Sequence, residues 1–178
     1  MASRWTWRLA EVPARAGAIR PVVDVATSIR FVVRGDSMAP ALSDGDYVLV
    51  SRLAYRLGAA TRGEVVVFRA DWGAGAEYLK RVVGLPGETV RYENGALFVE
   101  GVVVPEPYLP YAPLPVEDDP LSWRLGNDEY LVFGDNRPRS ADSRQHGPVT
   151  RETLVGRAYY RYWPLATRGS VRTSRGGG

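Results

Sequence analysis

From residue 29 onward the chain alternates short runs of Val, Ile, Leu, Tyr and Phe with Gly, Pro, Asn and Asp, a pattern of strands and turns rather than of helices. It predicts strands at 29–34, 46–51, 64–69, 77–84, 88–92, 96–99, 129–133 and 155–162. Asn94-Gly95, between Thr89-Val90-Arg91-Tyr92 and Leu97-Phe98-Val99, predicts a tight type I′ hairpin, because that turn needs positive φ at both central positions. Pro86-Gly87 predicts a type II turn. The six prolines Pro105, Pro107, Pro110, Pro113, Pro115 and Pro120 exclude a central strand or a helix and predict an extended surface loop over 105–120. Residues 1–28 have weak periodicity and read as an arm or as a short amphipathic helix through Val22, Val25, Ala26 and Ile29. Periodicity alone thus predicts one mostly antiparallel β domain, with residues 169–178 as a disordered tail.

Composition narrows the function classes. With 178 residues, 45% of them hydrophobic, the chain can bury one core. Its formal charge is +3, concentrated at the ends: residues 1–34 hold six Arg against Glu11 and Asp24, and Arg168, Arg172 and Arg175 follow without an acid. No long like-charge run accompanies them, so solvated termini are expected and no nucleic-acid partner is. Cysteine is absent, which excludes disulfides, thiolate metal sites and a cysteine nucleophile. Arg20, Pro21, Asp24 and Arg30 interrupt the best N-terminal apolar stretch, so neither a membrane-spanning helix nor an export signal is expected.

Three stretches carry candidate chemistry: Arg34-Gly35-Asp36-Ser37-Met38-Ala39-Pro40, Tyr78-Leu79-Lys80-Arg81-Val82-Val83-Gly84-Leu85-Pro86-Gly87, and Gly134-Asp135-Asn136-Arg137-Pro138-Arg139-Ser140-Ala141-Asp142-Ser143-Arg144. Alone, Ser37 is ordinary turn chemistry. Lys80 is the only lysine among 23 Lys and Arg residues, the rest being arginine. Chance usage explains one residual lysine; so does a position that arginine cannot fill, since a buried amine can lose its proton and act as a base whereas a guanidinium cannot. Leu79, Val82 and Val83 supply apolar surroundings. A serine needs such a base to become a nucleophile. His146, the only histidine, reads as a partly exposed turn residue, since nothing around Gln145-His146-Gly147 suggests the geometry of a Ser-His-Asp arrangement, and one histidine without cysteine makes metal catalysis a poor alternative. No cofactor is expected.

In this order the three stretches, with Arg62-Gly63-Glu64-Val65-Val66-Val67-Phe68 between the first two, resemble the boxes of the signal peptidase I family over residues 29–160. The resemblance implies a mainly β fold of twisted antiparallel sheets, partly barrel-like, with a second β subdomain reduced to the Pro-rich stretch 105–120. It implies a serine endopeptidase that cleaves signal or leader peptides from precursor proteins after small residues, Ala-x-Ala in type. Ser37 would attack the scissile carbonyl and donate its backbone N–H to the oxyanion, and neutral Lys80 would take the Ser37 proton. Ser140 would position the lysine amine, with Asp142 and Arg144 as a supporting ion pair. A substrate strand would lie between 29–36 and 77–80, against Phe31, Val33, Met38 and Tyr78. Gly35 stands where some members have a second hydroxyl donor, and Pro138-Arg139 replaces acidic and Asn residues.

On this reading 1–28 is an arm that lies on a membrane surface or belongs to a truncated anchor, 29–165 is the catalytic domain, and 166–178 is a disordered basic tail. A monomer is expected, working on the outer membrane face if it is attached and otherwise soluble. Three alternatives compete: a maturation peptidase dedicated to one precursor, a non-catalytic β-rich binding module, and a self-cleaving repressor peptidase. The last needs an upstream helix-turn-helix that 28 residues cannot supply.

Overall fold

The structure is a computed structural model that describes residues 28–73, 77–110 and 120–171. The arm expected over 1–28 lies outside the described residues except for Ser28, as do residues 111–119 of the Pro-rich stretch and residues 172–178.

Eight strands form one open sheet in the order β1-β2-β11-β3-β4-β9-β10, with β12 on the side of β11. They are β1 (Ser28–Val32), β2 (Tyr47–Ser51), β3 (Val65–Arg69), β4 (Glu77–Gly84), β9 (Glu129–Phe133), β10 (Val149–Thr150), β11 (Leu154–Trp163) and β12 (Gly169–Ser170). Every pair is antiparallel, and among the described residues no pairing joins β1 to β10, so the barrel stays unclosed. Four further strands, β5 (Thr89–Glu93), β6 (Ala96–Val99), β7 (Val102–Val103) and β8 (Leu121–Arg124), make a second sheet in the order β7-β6-β5-β8. Two one-turn helices, α1 (Ala54–Leu57) and α2 (Ser143–His146), complete the scaffold. No helix among the described residues is long and apolar enough to cross a membrane.

The β5–β6 hairpin turns at Asn94 (φ 50°) and Gly95 (φ 77°), the two positive angles that the tight turn requires. The main sheet carries clusters on both faces. Val33, Met38, Leu42, Val48, Val50, Val65, Val67 and Leu79 pack together, while Val66, Phe68, Val82, Tyr130 and Val132 belong to the other side. Such runs of adjacent buried valines mark a strand covered on both faces. A third cluster, Val83, Val90, Tyr92, Leu97, Leu131 and Phe133, joins the two sheets.

Three expectations change. The second β subdomain is a complete four-stranded sheet flanking the Pro-rich stretch, not that stretch alone. Ser122 and Arg124 alternate outward with Leu121 and Trp123, a strand signal too short to stand out behind Pro120. The segment 105–110 is not a mere surface loop, because its Glu106 side chain is buried against Arg137. The chain also stays in the fold past residue 166: β12 pairs with β11 and Val171 is buried in the first cluster, burial that the surrounding Gly, Ser and Arg conceal.

Candidate active site

Ser37 leads out of β1 into a tight turn, in which Ala39 N–H donates to Asp36 O (3.0 Å) and Leu42 N–H to Met38 O (2.9 Å). The buried Met38 side chain anchors this turn in the first cluster. Asn136 ties it to the loop after β9, donating its backbone N–H to Ser37 O (3.0 Å) and its Nδ2 to Asp36 O (3.0 Å). Ser37 N–H donates to no group among the described residues.

Lys80 sits in mid β4, directly across from Val66 of β3 and two residues from Val82, both fully buried. Its Nζ lies 2.8 Å from Ser37 Oγ and 3.1 Å from Leu79 O. Burial pushes the amine down from an ordinary 10.5 to about 8, against the opposing pull of Asp142 and Asp135. An amine 43 positions away in sequence is thus held in contact with the serine, with a pKa brought close to neutral.

The loop after β9 is built on Gly134. A Cβ there would stand 2.2 Å from Ser140 Oγ and 2.5 Å from Ser37 O, so only glycine lets the two serine-bearing segments approach so closely. Asp142 fixes the far side: it accepts from Gly134 N–H (2.9 Å) and pairs with Arg144 through Nε (2.9 Å) and Nη2 (2.9 Å). It also accepts from Arg144 N–H (3.1 Å) as the N-cap of α2. Arg144 Nη2 donates to Arg137 O (2.7 Å) and Ser140 O (3.3 Å), closing the loop on itself.

Ser140 is buried beside the pair, yet its Oγ has no hydrogen-bond partner, and the Ser140–Lys80 bond implied by the resemblance is not made. Val33 and Met38 are buried together with Phe31 against them, but Tyr78 packs in the other cluster, on Phe68 (5.8 Å between ring centroids). His146 is exposed and stacks on Trp72 at 4.7 Å.

Sequence reasoning assigned no role to Arg81 and Asp135. Arg81 is fully buried and grips Asp135 in a fork, Nε to Oδ1 at 2.8 Å and Nη2 to Oδ2 at 2.5 Å, while Nη1 donates to Gly63 O (2.7 Å). Each is the immediate neighbour of a site residue, Lys80 or Gly134. An arginine directly following the only lysine was the available signal.

Comparison with known proteins converges on one group. The sequence profile of the signal peptidase, peptidase S26 family matches residues 6–163. Signal peptidase IB of Staphylococcus aureus is 37% identical over 151 residues, covering 76% of this chain and 78% of its own length. A probable signal peptidase I-2 of Synechocystis is 39% identical over 138 residues, covering 75% and 62%. A crystal structure of a signal peptidase I from Enterococcus faecalis, 32% identical, covers 56% of this chain and 97% of its own at a TM-score of 0.49. With the profile spanning most of the chain and a named relative above a third identical, this chain belongs to the signal peptidase, peptidase S26 family.

Proposed function

We propose that the protein is a serine endopeptidase that removes signal peptides from precursor proteins, with Ser37 as nucleophile and Lys80 as general base. The observation that carries the assignment is the 2.8 Å contact between Ser37 Oγ and a buried amine whose pKa is pushed down to about 8. As Ser37 Oγ bonds to the scissile carbonyl carbon, Lys80 Nζ takes its proton. The oxyanion accepts from the free Ser37 N–H. Collapse breaks the C–N bond, and the Lys80 ammonium returns its proton to the leaving amine. Lys80 then takes a proton from water as the water oxygen attacks the ester carbonyl, and on collapse the bond to Ser37 Oγ breaks while the Lys80 ammonium returns that proton to Ser37 Oγ. Ser140 Oγ makes no hydrogen bond in this structure, and the amine-positioning role that the family resemblance implies for it requires the hydroxyl to turn toward Lys80 Nζ during these transfers.

The strand geometry suits an extended substrate. Among the described residues β1 pairs only with β2, and the Glu77–Lys80 half of β4 pairs only with β3, since β9 starts its register at Arg81. Two free edges therefore reach Ser37, where a peptide can add as a strand. Val33 and Met38 are buried in the core beneath the nucleophile turn, with Phe31 packed against it, and the preference for small side chains before the cut rests on the family resemblance.

Cleavage of a precursor peptide with Ala at the first and third positions before the cut, in detergent, tests the assignment. Ser37→Ala and Lys80→Arg each lower kcat by roughly a thousandfold or more. Lys80→Arg cleaving as fast as the unmodified protein overturns the mechanism.

A further inference from the structure

Residues 105–110, which follow β7, reach away from the second sheet to the loop after β9. Its Glu106 carboxylate lies against the buried guanidinium of Arg137, Oε1 to Nη2 at 2.5 Å and Oε2 to Nη1 at 3.2 Å. Tyr108 OH donates to the same Glu106 Oε1. The ring of Tyr108 covers Arg81, with the guanidinium carbon 4.1 Å from its centroid. The same segment faces the nucleophile turn: Pro107, Tyr108, Leu109 and Pro110 line one side of a cavity of about 360 Å³ that Pro40 and Ala41 also line.

Both arginines are wired to the reacting groups. Arg137 Nε donates to Gly134 O (3.0 Å), and Gly134 is the residue across which Ser37 and Ser140 meet. Arg81 follows Lys80 directly and grips Asp135, the neighbour of Gly134. We propose that Glu106 and Tyr108 are positioning residues for the Ser37/Lys80 pair, acting through Arg137 and Arg81 and fastening residues 105–110 beside the nucleophile turn. Without Glu106, Arg137 is a buried cation with only backbone and ring contacts, and it must draw in water or swing outward, pulling on Gly134 O. Without the Tyr108 ring, water reaches the Arg81–Asp135 pair and the fork loosens.

The inference rests on the Ser/Lys assignment above, and its test separates the two. Steady-state cleavage of the Ala-x-Ala precursor peptide is measured against pH for the unmodified protein, Glu106→Gln, Glu106→Asp, Tyr108→Phe and Lys80→Arg, with thermal unfolding in parallel. Glu106→Gln lowers kcat roughly 10- to 100-fold at near-constant KM, the penalty expected for sub-ångström to ångström displacement of reacting atoms. Glu106→Asp, which keeps the charge, recovers part of that loss. Burial dominates at Lys80, and the charges that oppose it are Asp142, paired with Arg144, and then Asp135, paired with Arg81, so a loosened fork exposes more of the Asp135 charge to the amine. The rising limb of kcat/KM then moves to higher pH in Glu106→Gln. Tyr108→Phe keeps the ring and the fold while losing the bond to Glu106, and shows the same two changes in smaller measure. If kcat and the pH limb of both variants match the unmodified protein and only the melting temperature falls, Glu106 and Tyr108 are structural staples and the proposal fails. If Lys80→Arg cleaves normally, the Ser/Lys assignment fails instead.

Discussion

Replacing Gly134 with alanine adds a single methyl group at the point where the nucleophile turn and the Ser140 loop touch. That carbon would lie 2.2 Å from Ser140 Oγ, 2.5 Å from Ser140 Cβ and 2.5 Å from Ser37 O. Carbon contacts relax only near 3.5 Å, so Ser37, Ser140 or both must retreat by roughly 1 Å. Gly134 itself cannot yield easily, because its N–H is held by Asp142 (2.9 Å) and its carbonyl by Arg137 (3.0 Å). Overpacking of this kind costs about 1–3 kcal/mol of stability. A 1 Å misplacement of reacting groups costs roughly 100-fold in rate, or about 2.7 kcal/mol in the barrier. The Gly134→Ala protein is therefore expected to stay folded and to lose most of its activity. Peptide cleavage at saturating substrate together with chemical denaturation gives both quantities. A variant that retains kcat within about twofold refutes the idea that this close approach sets the geometry of the pair.

The rate should rise with pH through about 8 and level off above it, as the Lys80 ammonium loses its proton; a kcat/KM profile that is flat from pH 6 to 10 contradicts the general-base role. Lys80→Met abolishes cleavage yet stabilises the fold near pH 7. The folded pKa, about 8, lies below the ordinary 10.5, so the unfolded chain holds the proton longer; burial of the ammonium costs on the order of 3 kcal/mol below pH 8, and that cost fades as pH rises toward 10.5. Denaturation of both proteins at pH 7 and pH 10.5 checks the sign and its disappearance. Asp135→Asn leaves the fully buried Arg81 without its counter-ion and destabilises by about 3–5 kcal/mol in the same assay, whereas a surface pair such as Arg69–Glu77 costs below about 1 kcal/mol when broken.

Most of the main sheet and the central hairpin of the second were legible because their strands are runs bounded by strong turn residues: 77–84 and 129–133 coincide with β4 and β9 of the main sheet, and 96–99 with β6 of the second. The short strands β7, β8, β10 and β12 were not, since two to four residues carry too little periodicity and are formed by pairing with neighbours distant in sequence. Ser37 and Lys80 were legible because their chemistry is scarce in this chain, which has one lysine and one histidine. The Gly134 contact, the Arg81–Asp135 fork and the Glu106–Arg137 pair were not. Each depends on where two segments cross in space, and an acid between two prolines gives no sign that it will be buried against an arginine 31 residues away.

The Ser37/Lys80 mechanism requires a covalent bond to one oxygen, Ser37 Oγ. Mass spectrometry of protein acid-quenched during turnover of the precursor peptide should find the N-terminal fragment of that peptide attached as an ester to Ser37, and should find no adduct in Ser37→Ala or Lys80→Arg. An adduct on another residue, or one that forms at full rate in Lys80→Arg, contradicts the Ser37/Lys80 mechanism.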